Sequence, residues 1–231
     1  MRTRRSTPRQ DVGVPCTCCG GEALDIFSER SARRELRRYL RQGLGGGDAK
    51  LIAAWAEEGG LAEAAVLDIG GGIGQVQAEL LRRGAASGRV VEVVAGYEGT
   101  AAELARAADV TERTSFVLAD LLESPASVEP ADIVVLRRVV CCSPRGPELL
   151  GIAAGKARRV LLASYPRDRA ANRLFSRIEN AVFWLIRKRF RSFVHPPEEL
   201  ERAAARQGLR RTRTSRGIVW ETARFDAAPP S

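Results

Sequence analysis

Residues 66–74 read Val66-Leu67-Asp68-Ile69-Gly70-Gly71-Gly72-Ile73-Gly74. A short apolar run enters a glycine turn, and a helical pattern begins near Gln75. Glycines at 70, 72 and 74 let backbone come close to a ligand at a helix N-terminus, where other residues would obstruct it. The spacing is not G-x-G-x-x-G, because Gln75 stands where the last glycine of that pattern would be, so a dinucleotide pyrophosphate is disfavoured. Asp68 points the same way. A carboxylate just ahead of the turn repels phosphate and attracts an ammonium group.

The segment Asp68-Ile69-Gly70-Gly71-Gly72-Ile73-Gly74 resembles the first motif, D/E-x-G-x-G-x-G, of the class I S-adenosylmethionine-dependent methyltransferases. That ligand has an ammonium group, a ribose and an adenine, and no phosphate. The resemblance implies Asp68, Gly70, Gly72 and Gly74 as cofactor-binding residues. It also implies an acid at the end of strand two that accepts from both ribose hydroxyls. With strand two at 90–95, Gly96-Tyr97-Glu98 matches the family's G-x-D ending, and Glu98 takes that place; Glu92 is the alternative. Strand three, 116–121, ends in Asp120 and Leu121. By resemblance Asp120 accepts from the adenine amino group and Leu121 packs on the ring; on its own chemistry Asp120 is equally a turn cap.

Further strands at 132–136 and 160–163 and a closing hairpin at 209–225 alternate with helical segments. Short apolar strands alternating with helices indicate an α/β fold with a parallel sheet. Together with the resemblance this predicts a seven-stranded, mostly parallel Rossmann-like methyltransferase sheet with helices on both faces. Helices at 31–41 and 51–58, separated by Gly43 to Gly47, form an N-terminal helical cap with a hinge. The predicted organisation is a tail and cap over 1–49, a methyltransferase domain over 50–225 and a disordered tail over 226–231. Tyr39 on the cap is a candidate wall of the site or an ordinary packing residue.

Leu136-Arg137-Arg138-Val139-Val140-Cys141-Cys142-Ser143-Pro144 resembles an L-D-R-V-x-C-C-Y-P segment of a bacterial subgroup loosely labelled magnesium-protoporphyrin O-methyltransferase-like. The stretches 165–169 and 190–197 support the same subgroup. Arg137 and Ser143 depart from its pattern, which weakens the substrate implied by the label. Both strand ends fall at the carboxyl edge of the sheet, where open α/β folds bind ligands. Arg138 is therefore counted among the cofactor-contacting residues, and Cys141, Tyr165 and Asp168 are expected on the acceptor side. Tyr165, Asp168 and His195 are the candidate catalytic residues. His195 is the single histidine and could serve as general base near neutrality or as a structural residue ahead of Pro196-Pro197. Methyl transfer from a sulfonium needs no base if alignment suffices.

Net charge is +9, and only Lys50, Lys156 and Lys188 of the 37 basic residues are lysine. Positive charge attracts phosphates. The arginines are spread along the chain, however, without a nucleic-acid module, an N-P-P-Y motif or a paired-cysteine RNA signature. Cys16, Cys18 and Cys19 lack a histidine or second C-x-x-C to complete a zinc set, so no metal is expected. No apolar run approaches the ~20 residues of a membrane span, and residues 1–10 have no signal-peptide core, so the expected compartment is the cytoplasm. Residues 172–189 have helical periodicity with apolar positions 174, 178, 182, 185 and 186. Core packing is the simplest account of that face, and contact with a lipid-like surface the lesser one. The function expected is methyl transfer to an oxygen or nitrogen of a small molecule. A nucleic-acid methyltransferase and a non-catalytic binding module are the alternatives.

Overall fold

The computed structural model describes residues 26–227. Strand β1 (Ala65–Ile69) is buried along Val66 to Ile69 because parallel strands flank it on both sides, β2 (Ser87–Glu92) and β4 (Ala131–Arg137). Beyond β2 lies β3 (Thr114–Leu118), and beyond β4 lies β5 (Ala157–Pro166), both parallel. The hairpin β6 (Leu209–Arg216) and β7 (Trp220–Ala227) completes the sheet through antiparallel pairing of β7 with β5. The order β3-β2-β1-β4-β5-β7-β6 places a topological switch between β1 and β4, so the crevice at their carboxyl ends is where a ligand belongs.

Alternation along the strands divides the core into two layers. Val66, Ile133, Val135 and Leu162 face α1 (Glu29–Gln42), α2 (Gly47–Glu58), α3 (Gln75–Arg82) and α4 (Glu98–Ala107). Leu67, Val134, Leu136 and Leu161 face α5 (Gly146–Lys156) and α7 (Pro197–Ala205). Helix α1 starts at a reciprocal cap in which Ser28 and Ser31 satisfy each other's backbone amides. It buries Ala32, Leu36 and Tyr39. No helix among the described residues is long and apolar enough to cross a membrane.

Three expectations are corrected. Strand β2 stops at Glu92 rather than at 95, because the Glu92 carboxylate captures the amides of Val93 and Val94 at 2.8 and 3.2 Å and turns the chain out of the ladder. Asp226 and Ala227 are not tail residues; they pair with β5 and β6 as the end of β7. Helix α6 (Ala170–Leu185) contributes no buried residue. Its polar side faces the protein, with Ser176 and Asn180 hydrogen-bonded to Ser192, so its apolar positions point outward instead of packing in the core.

Candidate functional site

The turn after β1 is held by a bond from the Gly70 amide to Val91 O at 2.7 Å, and it depends on its glycines. Gly70, Gly72 and Gly74 have φ of +61°, +58° and +78°, which side chains rarely adopt. A Cβ on Gly70 would stand 2.5 Å from Val139 Cγ2, and one on Gly74 would stand 2.8 Å from Val90 Cγ2. The turn delivers the chain into α3 and forms the floor of a cavity of about 850 Å³. Such a volume lies in the upper part of the ~300–1,000 Å³ range of small-molecule sites.

Asp68 is the most unusual group in this cavity. It lines the wall at 1% exposure, and neither carboxylate oxygen has a hydrogen bond of ordinary geometry. Burial raises its carboxyl to about 7, against smaller opposing pulls from the Gln77 amide and Arg137. A buried carboxyl without a hydrogen bond of ordinary geometry costs stability, so its retention beside a ligand-sized space points to a cationic or donating group that completes it. Glu92 stands across the turn and accepts from Gly72 N at 3.0 Å as well as from Val93 and Val94. Burial pushes its carboxyl upward while these amides pull it back. Asp120, just past β3, also lines the cavity and accepts from Leu122 N at 2.9 Å, with Leu121 beside it.

Helix α1 roofs the glycine turn. Glu35 reaches down to Gln75 Nε2 at 3.4 Å and to Tyr97 Oη at 3.4 Å, and Tyr97 also meets Ser31 Oγ at 3.3 Å. Burial raises the Glu35 carboxyl and pushes the Tyr97 phenol up to about 12, so at neutral pH the phenol keeps the proton that makes this bond. Asp48 locks the next segment. In the first turn of α2 it receives Arg137 Nε at 2.9 Å and Arg138 through Nε and Nη2, each at 2.8 Å. Burial alone would raise Asp48, but the two guanidiniums hold it below the usual carboxylate range. Arg138, at φ +57°, spans from this pair to the face of Trp220, 4.5 Å from the ring centre.

Of the residues expected from sequence, Asp68, Gly70, Gly72, Asp120, Leu121 and Arg138 meet around this one cavity. Gly74 is the residue preceding α3 and does not itself line the cavity. The others are placed elsewhere. Glu98 opens α4 at the surface and does not line the cavity; Glu92 holds the strand end. Tyr165 points into the opposite layer with Phe225 and Leu200, and burial together with Glu221 raises its phenol. Asp168 is bound to Arg173 and lies outside the cavity. His195 places Nε2 3.1 Å from Val140 O and 3.0 Å from Ser143 O, so this nitrogen carries its proton and ties two carbonyls together. Cys141 is buried away from the cavity, which Cys142 lines instead. Tyr39 packs toward Glu79 on α3, 3.5 Å away, and is no wall of the site. Among the described residues no cluster is arranged to hold a metal; Cys16, Cys18 and Cys19 lie outside them.

The parts that Glu35, Tyr97, Arg137 and Asp48 play at the site were not expected from the sequence. For Glu35 a signal was available, since its position four residues before Tyr39 puts it on the inward side of α1.

No family model matches the chain, and no curated protein matches it in sequence. Solved structures do. Magnesium protoporphyrin IX methyltransferase (ChlM) from Synechocystis PCC 6803 with bound SAH aligns at TM-score 0.67 and 18% identity, over 88% of this chain and 97% of that one. The chain has the Rossmann-like methyltransferase fold. An O-methyltransferase family protein from Burkholderia thailandensis aligns at TM-score 0.66 and 19% identity, over 89% of this chain and 62% of that one. An O-methyltransferase family 2 protein from Planctomyces limnophilus DSM 3776, in complex with apigenin, gives 0.63 and 19%, over 87% and 62%. At such identities the likeness is one of architecture. The chemistry of this methyltransferase-fold protein rests on its own cavity residues.

Proposed function

We propose that the chain binds S-adenosylmethionine in the cavity above the glycine turn and catalyses transfer of its methyl group to an oxygen or nitrogen of a small-molecule acceptor. The observation that carries this reading is Asp68, a buried carboxyl without an ordinary hydrogen bond, set beside a turn that excludes side chains. The ammonium of the cofactor's amino-acid end matches it in charge and donors. The turn lets that end approach the backbone of Gly70 to Gly72. Glu92 is the ribose acceptor in this proposal, because carboxylate oxygens have about four acceptor sites between them and the three amides leave room for a hydroxyl. Asp120 accepts from the adenine amino group while Leu121 contacts the ring.

The cofactor supplies an electrophilic methyl group on a sulfonium. The protein's part is alignment and exclusion of water. Glu35 and Tyr97 hold the cap on the glycine turn, and the Asp48 pair with Arg137 and Arg138 fixes the strand edge beneath it. Phe27 and Phe190, in edge contact at 5.5 Å, form an apolar part of the wall. The acceptor is assigned to that side. No proton is routed through His195, whose Nε2 is committed to two carbonyls.

The test is turnover with methyl-labelled S-adenosylmethionine across a panel of oxygen and nitrogen nucleophiles. Label in one acceptor with matching release of S-adenosylhomocysteine supports the reading. Binding of the cofactor with no transfer to any member of a broad panel would favour a non-catalytic module.

A further inference from the structure

Helix α6 is amphipathic the wrong way round for a core helix. Apart from Phe183, the residues it turns toward the protein are polar: Ser176 donates to Ser192 O at 2.8 Å, and Asn180 both donates to Ser192 O at 2.9 Å and accepts from Ser192 N at 2.7 Å. At its start Asn172 donates to Arg167 O at 2.8 Å and Val219 O at 3.1 Å. Leu174, Phe175, Ile178, Val182, Leu185 and Ile186 are all exposed. At helical spacing they fall within an arc of about 120°. Phe175 and Leu185 are 63% and 73% exposed. The bond from Asn172 to Val219 brings the β6–β7 turn beside this face, where Ile218 is 89% exposed.

We propose that this face is a docking surface for an anionic lipid bilayer, with α6 lying in the interface plane. Hydrogen bonds on the polar side fix the helix to the protein, so the outward apolar stripe is a stable feature of the fold. A contiguous apolar patch of this kind marks an interaction site. Its occupant follows from charge. Residues 167–191 contain eight arginines and lysines and only two acids, Asp168 and Glu179. Asp168 is bound to Arg173, and Glu179 is half-buried at the edge of the stripe. A second copy of the chain docking through the same face would bring two such basic sets together as water leaves, which like charges oppose. An anionic headgroup layer neutralises them while acyl chains receive the apolar side chains. Trp184, 72% exposed at the flank of the stripe, suits the headgroup level.

The helix is also joined to the cavity. Phe183 meets Phe190 edge-on at 5.5 Å, and Phe190 meets Phe27 at 5.5 Å, the last two lining the cavity wall. Docking would set the aromatic side of the cavity close to the lipid surface. The proposal itself does not depend on what that cavity binds.

The test is sedimentation of the full chain with phosphatidylcholine vesicles, with and without phosphatidylglycerol. Binding to the anionic vesicles should exceed binding to the neutral ones by roughly tenfold or more and weaken as salt screens the headgroups. The double substitution Phe175→Glu with Ile178→Glu should abolish it, and Leu174→Ser with Leu185→Ser should reduce it while adding no charge. Both variants should keep the parent melting temperature, since the replaced side chains are exposed. Absence of binding by the parent chain, equal binding to neutral vesicles, or undiminished binding by both folded variants would overturn the proposal. So would self-association without lipid that the substitutions remove, which would assign the face to a second copy.

Discussion

The amide of Gly72 donates to Glu92 Oε2 at 3.0 Å, so the turn after β1 and the end of β2 are one unit. The glycine turn and the strand-two acid therefore belong to the same site, and Glu98, six residues further on at the surface, does not. Glu92→Ala should weaken S-adenosylhomocysteine binding by about 1.5–3 kcal/mol, roughly ten- to a hundredfold, the worth of charge-assisted hydrogen bonds. Glu98→Ala should leave it unchanged. Calorimetric titration of both folded variants checks this; the opposite pattern would return the ribose to Glu98.

Asp68 makes opposite predictions for stability and binding. Its folded-state value, raised to about 7, stands above its ordinary 3.8. The unfolded chain therefore loses this proton first as pH rises, and stability is lost between about pH 4 and 7. Asp68→Asn should raise the melting temperature of the ligand-free protein at pH 8 and change it little at pH 4. The same variant should bind S-adenosylmethionine more weakly. In the parent, an ammonium against Asp68 favours the ionised carboxyl, so binding should release a proton and tighten from pH 5.5 to 7.5, below the ~8 at which an α-amino group loses its own proton. Calorimetry in buffers of different ionisation enthalpy reads that proton; pH-independent affinity would contradict the pairing.

Asp48 receives two guanidiniums, and removing the shared partner leaves both uncompensated. Asp48→Asn should cost about 2–3 kcal/mol at pH 7, below the ~3–5 kcal/mol of a fully buried pair because the arginines are partly solvated. Its folded-state value is depressed, so this contribution is present above about pH 4 and is lost as pH falls through the lower folded value. Denaturant melts at pH 7 and 3 should show the parent's advantage at the first and a smaller one at the second.

His195 is predicted to act on stability. His195→Ala gives up bonds to Val140 O and Ser143 O and should cost about 1–3 kcal/mol. Turnover on the identified acceptor should stay within a few-fold of the parent at temperatures where the variant is folded, with the same pH profile. Loss of one limb of that profile would make His195 a base after all.

The sheet and glycine turn were legible because short apolar strands, glycines and helical periodicity are local signals. The end of β2 was not. Val93 and Val94 continue the apolar pattern, and only the capture of their amides by Glu92 shows where the ladder stops. Tyr165 and Asp168 sit near the correct sheet edge, but which way a side chain points there depends on register and on neighbours such as Glu221 and Arg173. The bond from Asp48 to Arg137 joins residues 89 positions apart, a relationship no local pattern contains. For α6 the amphipathic period was visible, while the side turned inward was decided by Ser192 in a later loop.

The cavity over Asp68 and the glycine turn is proposed as a site for S-adenosylmethionine. The direct measurement is a calorimetric titration of the full chain with S-adenosylmethionine, S-adenosylhomocysteine and NADH, repeated on Gly72→Val. A valine at φ +58° with its Cβ 3.2 Å from the Tyr97 ring intrudes on the turn. One-to-one binding of the two adenosyl compounds is expected, with none of NADH and loss of binding in the folded variant. Absence of binding by the parent, preference for NADH, or unchanged affinity in folded Gly72→Val would contradict that proposal.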